Sequence, residues 1–280
     1  MLDANVLETA VKHNVAAALA EDLGPGDVSA ALIDAGTHAR AVVITRTEGI
    51  FCGAPWVNEA LAQVDQNIGI DWQVKDGDRL MPEQVLFTLN GAAASMLTAE
   101  RTLLNFVQLL SGTATRTAKY VRLLDGTSTQ LLDTRKTMPG LRIAQKYAVA
   151  CGGGQNHRIG LFDAYLLKEN HIAAAGSIGA AVAAAKQTDD NLPVEVEVET
   201  LDELQEAIDA AADIAMIDNF SLQQTRKACT LAAGRIKLEA SGGIDETSIK
   251  DIAHTGVDYI SIGDLTKTVT PLDLSMRFRD

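Results

Sequence analysis

Aromatic side chains are scarce, 4% of 280 residues, while alanine is abundant. A core built mainly on large rings is therefore not expected, and Ala-rich helix packing is. Apolar runs are short: none approaches the roughly 18 residues a spanning helix requires, so a membrane protein of that kind is not expected. The opening MLDANVLETAVKHN has no basic stretch followed by an apolar one, which argues against a signal peptide. Cysteine is sparse. Cys52, Cys151 and Cys229 stand far apart, form no CxxC pair and cannot all pair within one chain. Reduced thiols in a cytoplasmic protein are the expectation. Positive charge is short as well: 24 Lys and Arg against 37 Asp and Glu give a net charge of -13. Such a chain is a poor non-specific partner for nucleic acid or anionic membrane. No G-x-G-x-x-G follows a first strand, which removes the dinucleotide-dependent dehydrogenases.

What is present divides into two halves. Residues 5–21 have a helical pattern, with Asn5 and Glu8 at capping-box spacing, and AEDLGPGDVSA breaks it. Residues 39–90 read as short strands with one helix, separated by the turn signals DGD and NG, a small α+β unit. Residues 95–124 form a long helix. Leu103, Val107 and Leu110 make its apolar stripe, Arg101, Asn105 and Gln108 lie on another face, and Gly112 marks a point of kinking. From about residue 130 the rhythm changes to strands alternating with helices. The strands are 131–133, 165–168, 193–199, 214–218, 236–240 and 259–263. Two of the helices carry capping boxes, Thr200 with Glu203 and Ser221 with Gln224. Repeated βα units imply a parallel sheet. The expected fold class is therefore α/β, an irregular or incomplete α/β barrel behind an N-terminal α+β sandwich domain. Six clear strands fall short of eight, so the barrel is incomplete or residues 150–162 hold irregular strands. The expected domains are 1–112, with the tail 271–280 packed on it, and 113–270.

Chemistry in such a barrel collects at the C-terminal ends of the strands. Here those ends carry Thr134-Arg135-Lys136-Thr137, Lys168-Glu169-Asn170-His171, Asp218-Asn219, Ser241-Gly242-Gly243 and Gly263-Asp264. The strand VEVEVE sets Glu195, Glu197 and Glu199 on one face and three valines on the other. Carboxylates facing a barrel interior are costly unless a metal, Arg or Lys neutralises them. Cations converge on 133–171, where Arg135, Lys136, Arg142, Lys146, Arg158 and Lys168 face only Asp133, Asp163 and Glu169. A positive stretch inside an acidic chain fits the binding of several anions. Glu197 and Asp218 offer hard oxygens to Mg²⁺. Ser241-Gly242-Gly243, with a helix opening at Asp245, is placed as a phosphate loop. His157 beside Arg158 reads as a donor to substrate oxygen. His171 orients Lys168 or Glu169, or is structural. His13, His38 and His254 have no companions.

The run LLDTRKTMPGLRIAQKYAVACGGGQNHRIGLFDAYLLKENHI, residues 131–172, closely resembles the quinolinate phosphoribosyltransferase family. The likeness extends through TAERTLLNFVQLLSG, VEVEVETLDEL, DNF, EASGGI and TPLDLSMRF, and at the front through ALAEDLGPGDVS and GIFCGAPW. Nearly the whole chain is covered. The resemblance implies transfer of phosphoribosyl from phosphoribosyl pyrophosphate to quinolinate, with loss of CO₂. It implies a homodimer or homohexamer with Arg101 reaching a neighbouring subunit's site. It sets Arg135, His157, Arg158 and Lys168 around the quinolinate carboxylates, with Thr134 beside them. Lys136, Glu197 and Asp218 become the catalytic group at the pyrophosphate and its Mg²⁺, and the loops 241–244 and 261–264, with Ser261, Ile262 and Gly263, hold the 5'-phosphate. Departures from the family pattern are Lys267 in place of a common His, Asp264 beside the last loop, and Ser29 in place of Thr. Rival readings are a paralogue with another ring acceptor, of the group associated with molybdenum transport, and a non-catalytic barrel that binds a phosphorylated metabolite.

Overall fold

The structure, a computed structural model, describes residues 2–279. In chain order it contains α1 (Ala4–Leu23), β1 (His38–Thr45), β2 (Gly49–Ile50), α2 (Ala54–Val64), β3 (Gly69–Trp72), β4 (Arg79–Leu80), β5 (Val85–Ala92) and α3 (Ala93–Leu123). There follow β6 (Gln130–Leu132), α4 (Arg142–Cys151), β7 (Tyr165–Leu167), α5 (Glu169–Ala175), α6 (Ile178–Thr188), β8 (Val194–Val198) and α7 (Leu201–Asp209). The chain ends with β9 (Ile214–Asp218), α8 (Leu222–Ala232), β10 (Lys237–Ser241), α9 (Ile249–Ala253), β11 (Tyr259–Ser261), α10 (Asp264–Lys267) and β12 (Leu274–Arg279). Two compact units result. One gathers the chain up to Ala118, Thr137–Gly153 and the segment from Leu265 onward; the other is Lys119–Lys136 with Gly154–Asp264.

The first unit is built on an antiparallel sheet of order β12-β1-β5-β3. Its core is apolar, with Phe51, Trp56, Phe87, Leu103, Val107 and Leu110 all fully buried. Four local expectations are corrected here and in the second unit. The first helix is capped by Asp3, whose carboxylate accepts from the N–H groups of Asn5 and Val6, so Asn5 and Glu8 lie inside the helix rather than at its cap. Asn90-Gly91 makes no turn but continues β5; a Cβ at Gly91 would sit 3.2 Å from the Ile68 Cα, so close backbone approach is what the glycine allows. Gly112 does not interrupt α3, because its bare Cα admits the Thr270 carbonyl, 2.4 Å from where a Cβ would be. In the second unit the regular helix begins at Ile249 and not at Asp245, whose carbonyl accepts the Ile249 N–H. The Asp245 carboxylate closes a turn by accepting from Thr247 and Ser248, and the helix that follows has five residues.

The second unit is a parallel sheet of order β6-β11-β10-β9-β8-β7, all six of the strands read from the pattern. Both predicted capping boxes, at Thr200 and Ser221, form. Parallel neighbours with helical crossovers curl the sheet into an incomplete barrel. No ladder joins the edge strands β6 and β7. Between them residues 150–162 contribute one isolated parallel bridge, Leu132 with Gln155, rather than a strand. No described helix is long and apolar enough to cross a membrane.

Candidate active site

Strand geometry places the polar side chains. Along β8, Val194, Val196 and Val198 are fully buried, and the strand packs against α6 and α7 on that side. The alternate residues Glu195 and Glu197 then turn to the barrel interior. Glu199 lies past the end of the strand and is exposed, so the expected row of three inward carboxylates is a row of two. The same alternation puts Glu239 and Ser241 of β10 on one face, and Met216 and Asp218 of β9 beside them in register.

The ends of all six strands meet around one cavity of about 320 Å³. Its lining is Thr134, Arg135, Lys136, His157, Arg158, Leu166, Lys168, Glu197, Met216, Asp218, Glu239, Ser241 and Ser261. Ten of the residues expected from the sequence come together there. Gly242, Gly243, Ile262 and Gly263 are not in the lining, but two of them shape it. A Cβ at Gly263 would lie 2.8 Å from the Lys136 side chain, so the bare backbone lets the ends of β6 and β11 close up. Gly242 has φ +94° and is seated against Asn219. Ile262 is buried and donates its N–H to the Leu132 carbonyl, while Gly243 is exposed. Arg101 is exposed on α3 and does not line the cavity. Arg142 and Lys146, counted among the converging cations, lie on α4 in the first unit instead. His171 accepts the Lys168 N–H at its Nδ1 and so caps α5, the structural one of its two expected roles. Asp264 opens α10 half-buried, and Lys267 on the same short helix is exposed.

The electrostatics favour anions. Arg135, Lys136, Arg158 and Lys168 line the wall against Glu197, Asp218 and Glu239. The Arg135 Nε is buried and has no hydrogen-bond partner in the protein. Burial, followed by the charge of Arg135, presses the Arg158 guanidinium below its ordinary range. Two neighbouring guanidinium groups that repel each other, one with a stranded donor, are arranged for a ligand carboxylate. Lys168 is ion-paired with Glu197 across β7 and β8. His157 is anchored at its backbone, its N–H donating to Asp133 Oδ1 at 2.9 Å, and Asn156 Nδ2 donates to Asp133 Oδ2 at 2.6 Å. Its ring Nε2 lies 2.8 Å from Glu195 Oε2 and 3.3 Å from Glu239 Oε2. Glu239 was not singled out from the sequence. Its signal was available: it is a carboxylate flanked by Leu238 and Ala240, two residues before Ser241 in the same strand.

A second hollow, of about 410 Å³, lies in the first unit among α1, α3 and Pro139–Leu141. Glu21 and Asp22 line it, with no Lys or Arg among the described residues, so it does not suit an anionic substrate.

Comparison with known proteins agrees with the geometry. Residues 27–111 match the family described as quinolinate phosphoribosyl transferase, N-terminal domain, and residues 113–277 match the C-terminal domain of the same description. A probable carboxylating nicotinate-nucleotide pyrophosphorylase of Bacillus subtilis is 45% identical over 257 residues, 91% of this chain and 89% of that protein. A carboxylating nicotinate-nucleotide pyrophosphorylase of Mycobacterium leprae is 41% identical over 277 residues, 95% of this chain and 96% of that one. The solved structure of a nicotinate-nucleotide pyrophosphorylase from Francisella tularensis superposes with a TM-score of 0.95 at 52% identity, covering 97% of each chain.

Proposed function

This chain belongs to the quinolinate phosphoribosyltransferase family, and on that premise we propose that the six-strand cavity is where its reaction occurs. The enzyme transfers the phosphoribosyl group of phosphoribosyl pyrophosphate to quinolinate with decarboxylation. The products are nicotinate mononucleotide, pyrophosphate and CO₂, a step of de novo NAD biosynthesis. The observation that carries the assignment to this cavity is the buried, unpartnered Arg135 Nε beside Arg158. A buried donor without a partner costs about 1–3 kcal/mol, a cost that a bound carboxylate removes.

In this reading Arg135, Arg158, Lys168 and His157 clamp the two carboxylates of quinolinate, with Thr134 at the edge of the clamp. The clamp orients the pyridine nitrogen for attack on the anomeric carbon, so catalysis is positioning plus charge stabilisation. Lys136 neutralises the departing pyrophosphate. The pyridinium formed then stabilises the negative charge left on the ring as the adjacent carboxylate departs as CO₂. Glu197 and Asp218 fit a divalent cation, since two hard carboxylates share the wall and leave room for phosphate oxygens and water. Mg²⁺ held there would supply charge neutralisation to the pyrophosphate. Only one oxygen of Glu197 is engaged by Lys168, so the carboxylate retains capacity for a second cation. The 5'-phosphate is assigned to Ser241, Ser261 and the backbone of the glycine turns beside them. Nicotinate, with one carboxylate, leaves part of the clamp unpaired and is rejected.

The assembly proposed is a homodimer or larger, with Arg101 of one subunit completing the site of another. Arg101 is exposed, and Leu161 and Phe162, just after Arg158, are 75% and 74% exposed, an apolar surface that a second copy would cover. Inactive Arg101→Ala and Lys136→Ala chains regain activity on subunit exchange if the site is shared. Three free cysteines fit a reducing compartment, and we place the enzyme in the cytoplasm.

Product analysis tests the function. The purified protein is incubated with phosphoribosyl pyrophosphate, Mg²⁺ and either quinolinate or nicotinate. Nicotinate mononucleotide and CO₂ from quinolinate alone is the expected result. A folded protein that makes no product from quinolinate overturns the reading.

A further inference from the structure

Two buried carboxylates have no part in that scheme. The Glu195 side chain is 4% exposed and that of Glu239 is 0%. They stand on β8 and β10, either side of β9, and both reach the Nε2 of His157. Glu195 Oε1 and both Glu239 oxygens make no proper hydrogen bond. Interior carboxylates so poorly satisfied lower stability, and apolar side chains of similar volume would not. What they face is a residue of the cavity wall.

We infer that Glu195 and Glu239 are positioning residues for quinolinate binding: they grip His157 by Nε2 and hold its ring in the wall as a fixed cation. The inference rests on the reading of the cavity as the quinolinate site. With carboxylate oxygens of two residues converging on one ring nitrogen at 2.8 and 3.3 Å, a proton on Nε2 is what both can accept. A neutral ring would then have an acceptor lone pair on Nδ1, which disfavours a carboxylate ligand; a charged ring has a donor on each nitrogen. Two anions at one nitrogen favour the charged form. Burial opposes it, but the close contacts with Glu195 and then Glu239 outweigh burial and raise His157 to about 10. Other charged groups around the residue divide in sign. Asp133, just past β6, holds the His157 backbone, while Arg135 and Arg158 line the same cavity. The guanidinium groups meet the ligand anion directly, and the imidazolium adds a third cation whose orientation is set from behind.

The test uses the full chain. Glu195→Gln and Glu239→Gln are made alone and in a His157→Ala background, and KM and kcat are measured for both substrates. Each single variant is expected to raise the quinolinate KM roughly tenfold and to leave that for phosphoribosyl pyrophosphate within about twofold. In the His157→Ala background neither should add anything further. Equal damage to both substrates, or full additivity with His157→Ala, overturns the inference. A measurement on the wild type covers the case in which the variants do not fold: imidazole ¹⁵N shifts at about pH 7.5 should show both His157 nitrogens protonated. A neutral ring overturns the inference. So does a stoichiometric metal ion at the cluster, since the three ligand atoms lie within 4.8 Å of one another. A wild type that ignores quinolinate defeats the functional reading instead, and the ¹⁵N spectrum still decides the state of His157.

Discussion

The two compact units bury different kinds of side chain. In the first, Trp56, Phe51, Phe87 and Leu89 are fully buried in an apolar cluster to which every strand of the main sheet and α1–α4 contribute. In the second, each strand is divided. The valines of β8 lie under helices, while Asp133, Glu195 and Glu239 are buried in the barrel, and arginines and lysines surround its mouth. The first arrangement stabilises the chain by removing apolar area from water. The second gives up stability to desolvate charge, and recovers it when an anionic ligand arrives. One unit should therefore respond to mutation in its unfolding curve, and the other in its substrate affinity.

The sharpest break of that contrast is a pair of alanine substitutions. Trp56 packs against a tilted Tyr147 ring at 5.5 Å and a stacked Phe106 ring at 6.3 Å, and is fully buried. Trp56→Ala should cost about 3–5 kcal/mol in urea unfolding. The folded fraction should keep the wild-type quinolinate KM. Arg158→Ala should do the reverse. Stranding the substrate carboxylate weakens quinolinate binding by about 2–5 kcal/mol. Thermal unfolding without substrate should occur at the same temperature or higher, because Arg158 is repelled by Arg135. An Arg158→Ala protein that is much less stable and binds normally would erase the distinction.

The same contrast explains what the sequence disclosed. The barrel strands and two of its capped helices were legible because βα alternation and S/T-x-x-E/Q spacing are local signals. Arg135, Lys136 and Lys168 were legible as strand-end cations, and Arg158 as one of the cations gathered in 133–171 of an acidic chain. Two of the misreadings, at glycines, involve partners distant in sequence. Gly91 and Gly112 look like a turn and a kink, yet each admits a backbone from elsewhere, near Ile68 and Thr270. Asp3 rather than Asn5 caps α1 because Asp3 precedes the first helical turn and its carboxylate takes two orphan N–H groups at once. Glu239 went unmarked because β10 has no row of carboxylates like that of β8. Its meaning depends on His157, 82 positions earlier in the chain, and on the curl of the sheet that brings them together. Residues 150–162 gave no strand signal, and only the bridge at Gln155 forms there.

Glycines sharpen the comparison at smaller magnitude. Gly242, beside the site, and Gly234, after α8, both have positive φ, +94° and +75°. Alanine at Gly234 meets nothing within 4 Å and suffers only the backbone strain, about 1 kcal/mol. Alanine at Gly242 adds a contact at 2.8 Å from the Asn219 N and 2.3 Å from its Oδ1, so the loss should reach about 2–3 kcal/mol. Asn219 adjoins Asp218 and donates to it, so Gly242→Ala should also lower kcat/KM, whereas Gly234→Ala should not. Equal effects of the two on activity would mean that the turn after β10 does not shape the site.

The smallest effect separates a charge that holds a turn from the charges that line the cavity. Asp245 accepts from Thr247 and Ser248, and these hydrogen bonds lower its carboxyl to about 2 from 3.8. A lowered carboxyl contributes stability in full above its unfolded value, and loses that contribution as the pH falls through the folded one. Asp245→Asn keeps an acceptor oxygen in place and removes only the charge. The variant should therefore be slightly less stable than wild type at neutral pH. The difference should shrink below about pH 4 and vanish near pH 2, as followed by urea unfolding across that window. Its quinolinate KM should be unchanged, because Asp245 is exposed and is not part of the cavity lining. A stability difference that persists unchanged to pH 2 would show that the turn depends on the shape of the side chain and not on its charge. A changed KM would join the turn to the phosphate end of the site.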